Sequence, residues 1–464
     1  MTSAPITALN GILDAAGLSA AAASQVYFTG DDPVFPTRYR IGAAGAAAIA
    51  ATGVAAAQLG ELRTGRVQKV QVSVRAAAAA LRSARYMKLD GPAQADPMDP
   101  LTGFYPVAGG RWVYLHCNFP NHRDRALAVV GITSATQDDL AAAVTRWDGP
   151  ALEDALMNAG GCAALTRSEQ EWTLHPQAAA IKSLPLLEIV RIGDAAPQPL
   201  PAGTRPLSAV RVLDLTRVLA GPTCARTLAE HGADVLKITA PQLPHSGWLE
   251  FDTGLGKMSA YLDLRDSKDA ATLRELVQSA DIFSQSYRPG ALEHHGFGPG
   301  ELAALRPGII CVELSAWGHD GPWQKRRGFD TIVQTATGMA MVSGDGIKPQ
   351  LMPVSAIDYV SGYLMAFGAM VALARRASEG GSWLVRVSLA RTGRWIVERG
   401  LLDRAALSEV PNDLAPEEIN QLITETITPA GKLRHLAPIA QMSETKAYWA
   451  RPAVPLGTHP AKWP

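Results

Sequence analysis

The longest apolar segment of the chain predicts a helix that carries a single acid. Between residue 354 and Arg375 the only charged side chain is Asp358. A glycine pair at 380–381 then breaks the pattern, and alternating residues at 385–389 predict a strand. Burying a lone carboxylate is costly, so Asp358 must be hydrogen-bonded, paired or open to a cleft. It is therefore either a helix-capping acid, stabilised by the helix dipole, or a functional group.

The same pattern occurs twice. With the numbering shifted by 315, residues 41–74 align without a gap with 356–389, so that Gly53 meets Gly368 and Val70 meets Val385. An internal repeat of one helix–strand unit is the favoured explanation, and chance agreement of two alanine-rich helices is the alternative. In the first copy Ala43 stands where the second has Asp358. If Asp358 has a catalytic role, the first copy cannot perform that role, because it lacks the acid.

After a proline-rich linker the pattern changes to short apolar runs that alternate with helical ones. The runs at 210–215, 235–238, 260–264, 282–285 and 309–314 predict strands. Such alternation predicts a parallel sheet with crossover helices, and these sheets bind ligands at the carboxyl ends of their strands. Before the linker, two alternating runs flank a Gly-Gly pair at 109–110, which predicts a hairpin within a small α+β domain.

These patterns divide the chain into six predicted segments. They are an N-terminal copy of the helix–strand unit without the acid, with its connector (1–100), a small α+β domain with a return segment (101–194), a linker (195–205), a Rossmann-like region (206–345), the acid-bearing helix–strand unit (346–405) and a C-terminal tail (406–464).

Composition excludes several function classes. The 43 basic and 43 acidic residues balance, which argues against a nucleic-acid partner. Four cysteines without CxxC spacing predict neither disulfides nor a zinc site, and they favour a cytoplasmic location. The ten histidines show no metal-ligand spacing, so no metal is expected. The N-terminus does not resemble a signal peptide, and the apolar runs at 41–59 and 361–374 are better explained as packed helices than as membrane spans.

Four stretches in order resemble the class III CoA-transferase family, also called the CaiB/BaiF family. They are VLDLTRVLAGPTCARTLAEHGADVLKI (212–238), SYRPGALEHHG (286–296), GFDTIVQTATGM (328–339) and AIDYVSG (356–362). The resemblance implies a Rossmann-like parallel sheet with crossover helices and a smaller α+β domain. It also implies an enzyme that moves CoA from an acyl-CoA to a small carboxylic acid, with no permanently bound cofactor.

The order of the parts departs from the family pattern. The small domain here precedes the Rossmann-like region and follows the copy that lacks the acid. The chain thus resembles a fused or rearranged member. Family members form interlocked dimers, so a homodimer is one expectation, and replacement of a crossing by the linker at 195–205 is another.

The resemblance assigns roles to individual residues. Asp358 aligns with the family's nucleophilic aspartate, which passes through an aspartyl-CoA thioester. CoA contacts are implied for seven further residues: Val218 and Leu219 against the adenine, Lys257 near the phosphates, and Ser286, Tyr287, Arg288 and His294 close by. Gly344 and Gly346 are candidate oxyanion donors in a loop before the helix.

Two alternatives stay open. One family branch consists of 2-methylacyl-CoA racemases, which use a histidine where this chain has Phe329, and phenylalanine cannot exchange a proton. The other alternative is a non-catalytic CoA-binding scaffold, since one copy has lost the acid. The neighbouring Asp330 is interpreted as a structural cap or turn residue.

Overall fold

The computed structural model describes residues 3–90, 98–133 and 136–464. Strands β1–β16 are, in chain order, Val26–Thr29, Val70–Ser73, Lys88–Leu89, Gly103–Pro106, Trp112–Leu115, Ala163–Leu165, Glu188–Gly193, Arg211–Leu215, Asp234–Thr239, Lys257–Tyr261, Ile282–Gln285, Ile310–Ser315, Ser382–Ser388, Ile423–Thr428, Gly431–Leu436 and Gln441–Met442. Helices α1–α17 are Ala4–Ala15, Ile41–Thr64, Val74–Ala80, Pro120–Val130, Gln137–Val144, Gly149–Asn158, Glu169–Thr173, Pro176–Ser183, Ala220–Glu230, Trp248–Gly254, Ser267–Val277, Pro299–Leu305, Asp330–Ala336, Met339–Ser343, Ala356–Glu379, Leu389–Val397 and Pro416–Leu422.

The largest sheet among these residues has seven strands in the order β10-β9-β8-β11-β12-β13-β7. All neighbours are parallel except β7, which runs antiparallel to β13. This confirms the predicted Rossmann-like sheet. The strand predicted at 260–264 is wrong by three residues, since the observed strand is Lys257–Tyr261. The chain turns soon after Tyr261, where the side chain of Asp263 accepts the N–H of Arg265.

The small domain has its own sheet, β4-β5-β6, and its own apolar core drawn from residues 101–165. β4 and β5 pair antiparallel across the predicted turn. Gly109 and Gly110 both have φ near +75°, which glycine adopts without strain. The sequence prediction of a hairpin at this point is confirmed.

The internal repeat is present in three dimensions. Helices α2 and α15 both contain 24 residues and begin 315 positions apart. In each copy the helix packs closely on the strand that follows it. A Cβ added at Gly53 would lie 2.6 Å from Val70 Cγ1, and one added at Gly368 would lie 2.6 Å from Val385 Cγ1. Because the same glycine–valine contact occurs in both copies, the alternative that the two helices agree only in their alanine-rich composition is excluded.

The two halves of the chain exchange strands and share one core. β7, from before the linker, forms the edge of the large sheet. In return, β16 and β15 from the tail pair with β2 and β3 of the N-terminal half. Helices α2 and α15 pack against each other inside a continuous cluster that runs from Ala8 to Met442. The N-terminal copy therefore supports the helix that carries Asp358.

By length and composition alone, α2 and α15 could each cross a membrane. Their most apolar 18-residue windows are 89% and 100% buried inside the protein. Both are core helices, as the sequence predicts.

Candidate active site

Asp358 lies in the first turn of α15, at the carboxyl edge of the large sheet. One helical turn later, a Cβ added at Gly362 would lie 2.4 Å from the carbonyl oxygen of Ala220. Residues four apart lie on the same face of a helix. The absence of a side chain at Gly362 thus lets the first turns of α15 pack closely on the start of α9.

That turn contains an unusual backbone conformation. Val218 has φ +71°, although β-branched residues rarely enter the left-handed region. Leu219 follows as the buried N-cap of α9. Strained backbone persists where the surrounding structure enforces it, and it is common at ligand sites. The two residues predicted to lie against the adenine therefore occupy a strained turn at the edge where ligands are expected.

A second carboxylate lies beside Asp358. The Asp330 Oδ2 atom accepts the backbone N–H of Asp358 at 3.1 Å, and the N–H of Ile357 is a further donor. The Gln334 side chain also donates to Asp330. Asp330 thus caps α15 from another helix, which confirms the structural role predicted for it.

Burial and mutual repulsion control the titration of this pair. Burial raises the pKa of Asp330 to about 6, although Gln334 and the two N–H groups of α15 oppose the increase. Burial, and then the charge of Asp330, raise the pKa of Asp358 well above its ordinary value. Asp358 is only 8% exposed. Its carboxylate is therefore poorly solvated and adjacent to a like charge, which makes it basic for an aspartate.

In the N-terminal copy the helix is also capped by an aspartate, but it has no counterpart of Asp358. Asp32 accepts the N–H groups of Gly42 and Ala43 at 2.9 and 2.8 Å. These two residues align with Ile357 and Asp358. An aspartate thus caps the helix in both copies, although Asp32 and Asp330 lie outside the repeated segment and do not occupy aligned positions, whereas the acid within the helix belongs to one copy.

Among the predicted CoA contacts after β11, Ser286 lies against the same turn. The Arg217 N–H donates to Ser286 Oγ at 3.2 Å, and the Tyr287 N–H donates to the Gln285 side chain at 2.8 Å. Ser286 and Tyr287 are half-buried, while Arg288 is exposed. His294 is exposed on the short turn Glu293–His295 farther along the chain. The CoA contacts assigned to these side chains stay predictions.

Lys257 has a different environment from the one predicted. Its ammonium is buried and lies 2.7 Å from Asp214 Oδ2 and 2.8 Å from the Pro222 carbonyl oxygen. Burial opposes the ionisation of Asp214, but Lys257 and Lys237 outweigh it and lower the pKa of Asp214. Lys257 thus completes an internal ion pair, and its contact with phosphates stays a prediction.

Four arginines, here named the basic cluster, lie near one another around Arg327 and His122. They are Arg125, Arg217, Arg288 and Arg327. A Cβ added at Gly160 would lie 3.0 Å from Arg125 Nη1 and 3.2 Å from Arg327 Nη1. Burial, and then the charges of Arg288 and Arg125, lower the pKa of Arg327. The small domain supplies Arg125, so the cluster forms only after that domain packs on the sheet.

The small domain also surrounds Phe329 with aromatic side chains. The His116 ring stacks on Phe329 with a centroid separation of 4.1 Å, and His122 lies at 5.9 Å. Burial, and then the charges of Arg327, Arg125 and Arg217, lower the pKa of His122 to about 4. His122 is 8% exposed, and its Nδ1 has no hydrogen-bond partner. Burial likewise lowers the pKa of His116, so both imidazoles beside Phe329 favour the neutral form.

One predicted oxyanion donor is wrong. The Gly344 N–H donates to the Ala340 carbonyl oxygen at 3.1 Å, because this residue ends α14. It is not free to bind an oxyanion. Gly346 is exposed in the following loop and stays a prediction.

Sequence reasoning missed the contributions of the small domain. Arg125, His116 and His122 lie about 200 residues from Phe329 in the chain, and no local pattern links them. Arg217 lies within one resembling motif and Arg327 directly precedes another, so a count of cations in and beside those motifs would have found them. Within the described residues, no group of three or more His, Cys, Asp or Glu side chains could hold a metal ion.

Comparison with known proteins identifies related sequences. The model of CoA-transferase family III matches residues 11–193 and 207–423. Acetyl-coenzyme A transferase nodX of Hypoxylon pulicicidum is 37% identical over 203 residues, 42% of this chain and 34% of that protein. Succinyl-CoA–D-citramalate CoA-transferase of Chloroflexus aurantiacus is 33% identical over 198 residues, 40% of this chain and 49% of that protein. The chain thus spans between a third and a half of these relatives.

Among solved structures, a CaiB/BaiF family protein from Brucella suis matches with a TM-score of 0.39 and 24% identity. The match covers 49% of this chain and 65% of that one.

Proposed function

Because the chain belongs to CoA-transferase family III, we propose that it moves CoA from an acyl-CoA to a carboxylic acid, with Asp358 as the nucleophile. The observation that carries the proposal is the placement of one poorly solvated carboxylate, Asp358, in the first turn of the helix that packs on α9, directly after the strained Val218. The curated relatives named above transfer CoA from acetyl or succinyl donors, which makes these two donors the natural probes.

Covalent catalysis by Asp358 divides the exchange into easier steps. Its carboxylate attacks the donor thioester, giving a mixed anhydride and the CoA thiolate. The thiolate attacks the Asp358 carbonyl carbon, which releases the donor carboxylate and leaves an aspartyl-CoA thioester. An acceptor carboxylate then attacks this thioester, and the released thiolate takes the acceptor acyl group from the second anhydride. Asp358 ends as the carboxylate with which it began.

The basic cluster is suited to the phosphates of CoA. Arginine binds phosphate oxygens with paired N–H groups, and four arginines provide charge for the pyrophosphate and the 3′-phosphate. The unpartnered Nδ1 of buried His122, beside these arginines, offers a further polar contact. In this arrangement the small domain and the Rossmann-like region hold CoA between them.

Replacing Arg327 with alanine is expected to raise the KM for acyl-CoA about 10-fold, since one charge-assisted contact contributes roughly 1.5–3 kcal/mol. The turnover number should change little, and the difference should shrink at high salt. Steady-state kinetics at two ionic strengths measure both effects. Lys325→Ala, at an exposed position two residues away, is the matched control. An unchanged KM for Arg327→Ala would exclude this residue from the phosphate site.

The covalent step is tested by mass spectrometry of the intact protein after incubation with acetyl-CoA, succinyl-CoA and other acyl-CoAs. We expect an adduct of CoA mass, released by mild hydroxylamine, on the peptide that contains Asp358. The donor that forms it identifies half of the substrate pair. If CoA binds but no donor gives an adduct, the transferase proposal fails and the scaffold alternative gains support.

One observation favours a second candidate, an acyl-CoA racemase. Phe329 replaces the histidine of that branch, yet the structure stacks the His116 imidazole on the Phe329 ring. An imidazole is thus present near this position, supplied by the residue that follows β5. Deuterium incorporation at the α-carbon of 2-methylacyl-CoA in heavy water would support this function. A cytoplasmic location and assembly as a homodimer stay predictions.

A further inference from the structure

The Asp330 carboxylate caps α15 by accepting the backbone N–H of Asp358, but a helix cap does not require the negative charge of this group. Its Oδ2 atom lies 3.1 Å from the Asp358 nitrogen. Serine, threonine and asparagine cap helices as well as aspartate does, so a charge is not needed for the cap alone. A second buried charge beside a nucleophilic carboxylate destabilises the folded protein. Such a costly arrangement suggests a use in the reaction.

We propose that Asp330 is the positioning residue of Asp358: it holds the start of α15 in place, and the negative charge of its ionised carboxylate favours the acylated, uncharged form of the Asp358 side chain. This inference rests on the proposed transferase function. In the ionised enzyme two negative charges lie close together in a poorly solvated site. Repulsion between them is removed each time Asp358 is acylated.

The charge balance of the reaction supports this role. When the Asp358 carboxylate and an acyl-CoA react, the products are a neutral aspartyl-CoA thioester and the free donor carboxylate. One negative charge thus leaves the neighbourhood of Asp330 with the donor acid. The same repulsion raises the affinity of Asp358 for a proton and its affinity for an acyl group, because both reactions make the side chain neutral.

The other groups that face Asp330 do not cancel its charge. From α13 and α15 it is contacted by the Gln334 amide and by backbone N–H groups. Tyr114 of β5 also faces Asp330. Burial, and then the charge of Asp330, raise the pKa of the Tyr114 phenol, while a hydrogen bond with Thr331 lowers it. The neutral His116 imidazole lies 3.4 Å from Thr331 Oγ1.

The remaining elements packed on α13 are uncharged at their contacts. Gly393 of α16 contacts only apolar side chains, those of Ile357, Met339 and Val333. β6, which also packs on α13, consists of the uncharged residues Ala163–Leu165. No cation among the described residues forms an ion pair with Asp330. Its negative charge therefore acts mainly on Asp358.

The N-terminal copy provides the matched control. Asp32 caps α2 through two backbone N–H groups, but Ala43 stands where the nucleophile would be. Asp32→Asn removes a capping charge without touching the reaction. Asp330→Asn removes the equivalent charge beside the nucleophile, and both substitutions keep an oxygen that accepts a hydrogen bond.

For Asp330→Asn we expect the acidic limb of the pH–rate profile to move down by about one to two pH units, because a like charge no longer opposes ionisation of Asp358. The equilibrium constant for acylation of Asp358 should fall by the same factor, about 10-fold for each unit of pKa. Quantitative mass spectrometry at fixed ratios of acyl-CoA to free acid measures the second effect. Asp330→Glu, which keeps the charge, should restore both properties toward the parent.

Asp32→Asn is expected to shift neither the pH–rate profile nor the acylation equilibrium, because no second acid lies in the helix that Asp32 caps. If both substitutions alter only stability, Asp330 is a cap and the proposal is overturned. Should Asp330→Asn fail to fold, Asp330→Ser keeps a hydroxyl acceptor and gives the same comparison.

Titration of Asp358 separates this proposal from the proposed function. Selective ¹³C-carboxyl labelling of aspartate reports its pKa by NMR without any substrate, with Asp358→Asn identifying the signal. A downward shift in Asp330→Asn supports the charge effect even if wild type forms no CoA adduct, an outcome that would reject the transferase function alone. An unchanged Asp358 titration overturns the proposal whatever the adduct experiment shows.

Discussion

Asp358→Asn is expected to lower the rate of CoA transfer by roughly 10³-fold or more, the scale seen when a covalent nucleophile is removed. Asparagine has the same shape but cannot attack a thioester as a carboxylate does. The variant should still bind CoA, since the basic cluster and the Val218 turn are unchanged. Initial rates with succinyl-CoA or acetyl-CoA, together with calorimetric binding of CoA, measure the two properties separately.

The stability of the same variant is expected to stay equal or to increase. Asp358 is 8% exposed and adjacent to Asp330, so its neutral replacement removes a buried like-charge repulsion. A functional site often destabilises the fold that contains it. Asp345→Asn, in the exposed loop before α15, is the control and should retain full activity. Equal transfer rates in Asp358→Asn and the parent would remove Asp358 from the mechanism.

The repeat and the large sheet could be predicted because their signals are local. The spacing of Gly53 from Val70 recurs at Gly368 and Val385, and the structure turns this agreement into the same 2.6 Å contact in both copies. Short apolar runs separated by helical ones determine a parallel sheet, whose carboxyl edge could then be located. Residues attached to that edge, such as Val218, Ser286 and Tyr287, gathered where the pattern placed them.

The rest of the site depends on how distant segments pack, which sequence patterns do not encode. Arg125 and His116 reach the edge only because the small domain docks on α13. The contact between Asp330 and the backbone of Asp358 joins two helices, so sequence reasoning found the cap but not its position beside Asp358. Lys257 is assigned to the phosphates because it matches a family lysine, and no local sequence pattern predicts that its ammonium is buried against Asp214.

Lys257 offers the strongest expected effect on stability. Its side chain is 2% exposed and that of its partner Asp214 is fully buried. Lys257→Met leaves the carboxylate without its closest cation, which typically costs about 3–5 kcal/mol in the free energy of unfolding. Lys237, which also acts on Asp214, should keep the loss near the lower limit. Urea denaturation of the variant and of the exposed control Lys268→Met measures the difference.

The paired substitution Asp214→Asn with Lys257→Met separates the two roles open to this lysine. If Lys257 is an internal partner, the double variant should regain most of the lost stability, because no unpaired charge remains buried. Its KM for acyl-CoA should equal that of the parent. If Lys257 instead contacts the phosphates of CoA, Lys257→Met should unfold like the parent and bind CoA about 10-fold more weakly, and the double variant should not recover binding. An internal ion pair changes the free energy of unfolding and leaves CoA binding constant, whereas a ligand contact changes CoA binding and leaves the free energy of unfolding constant. One pair of measurements therefore decides between the two roles.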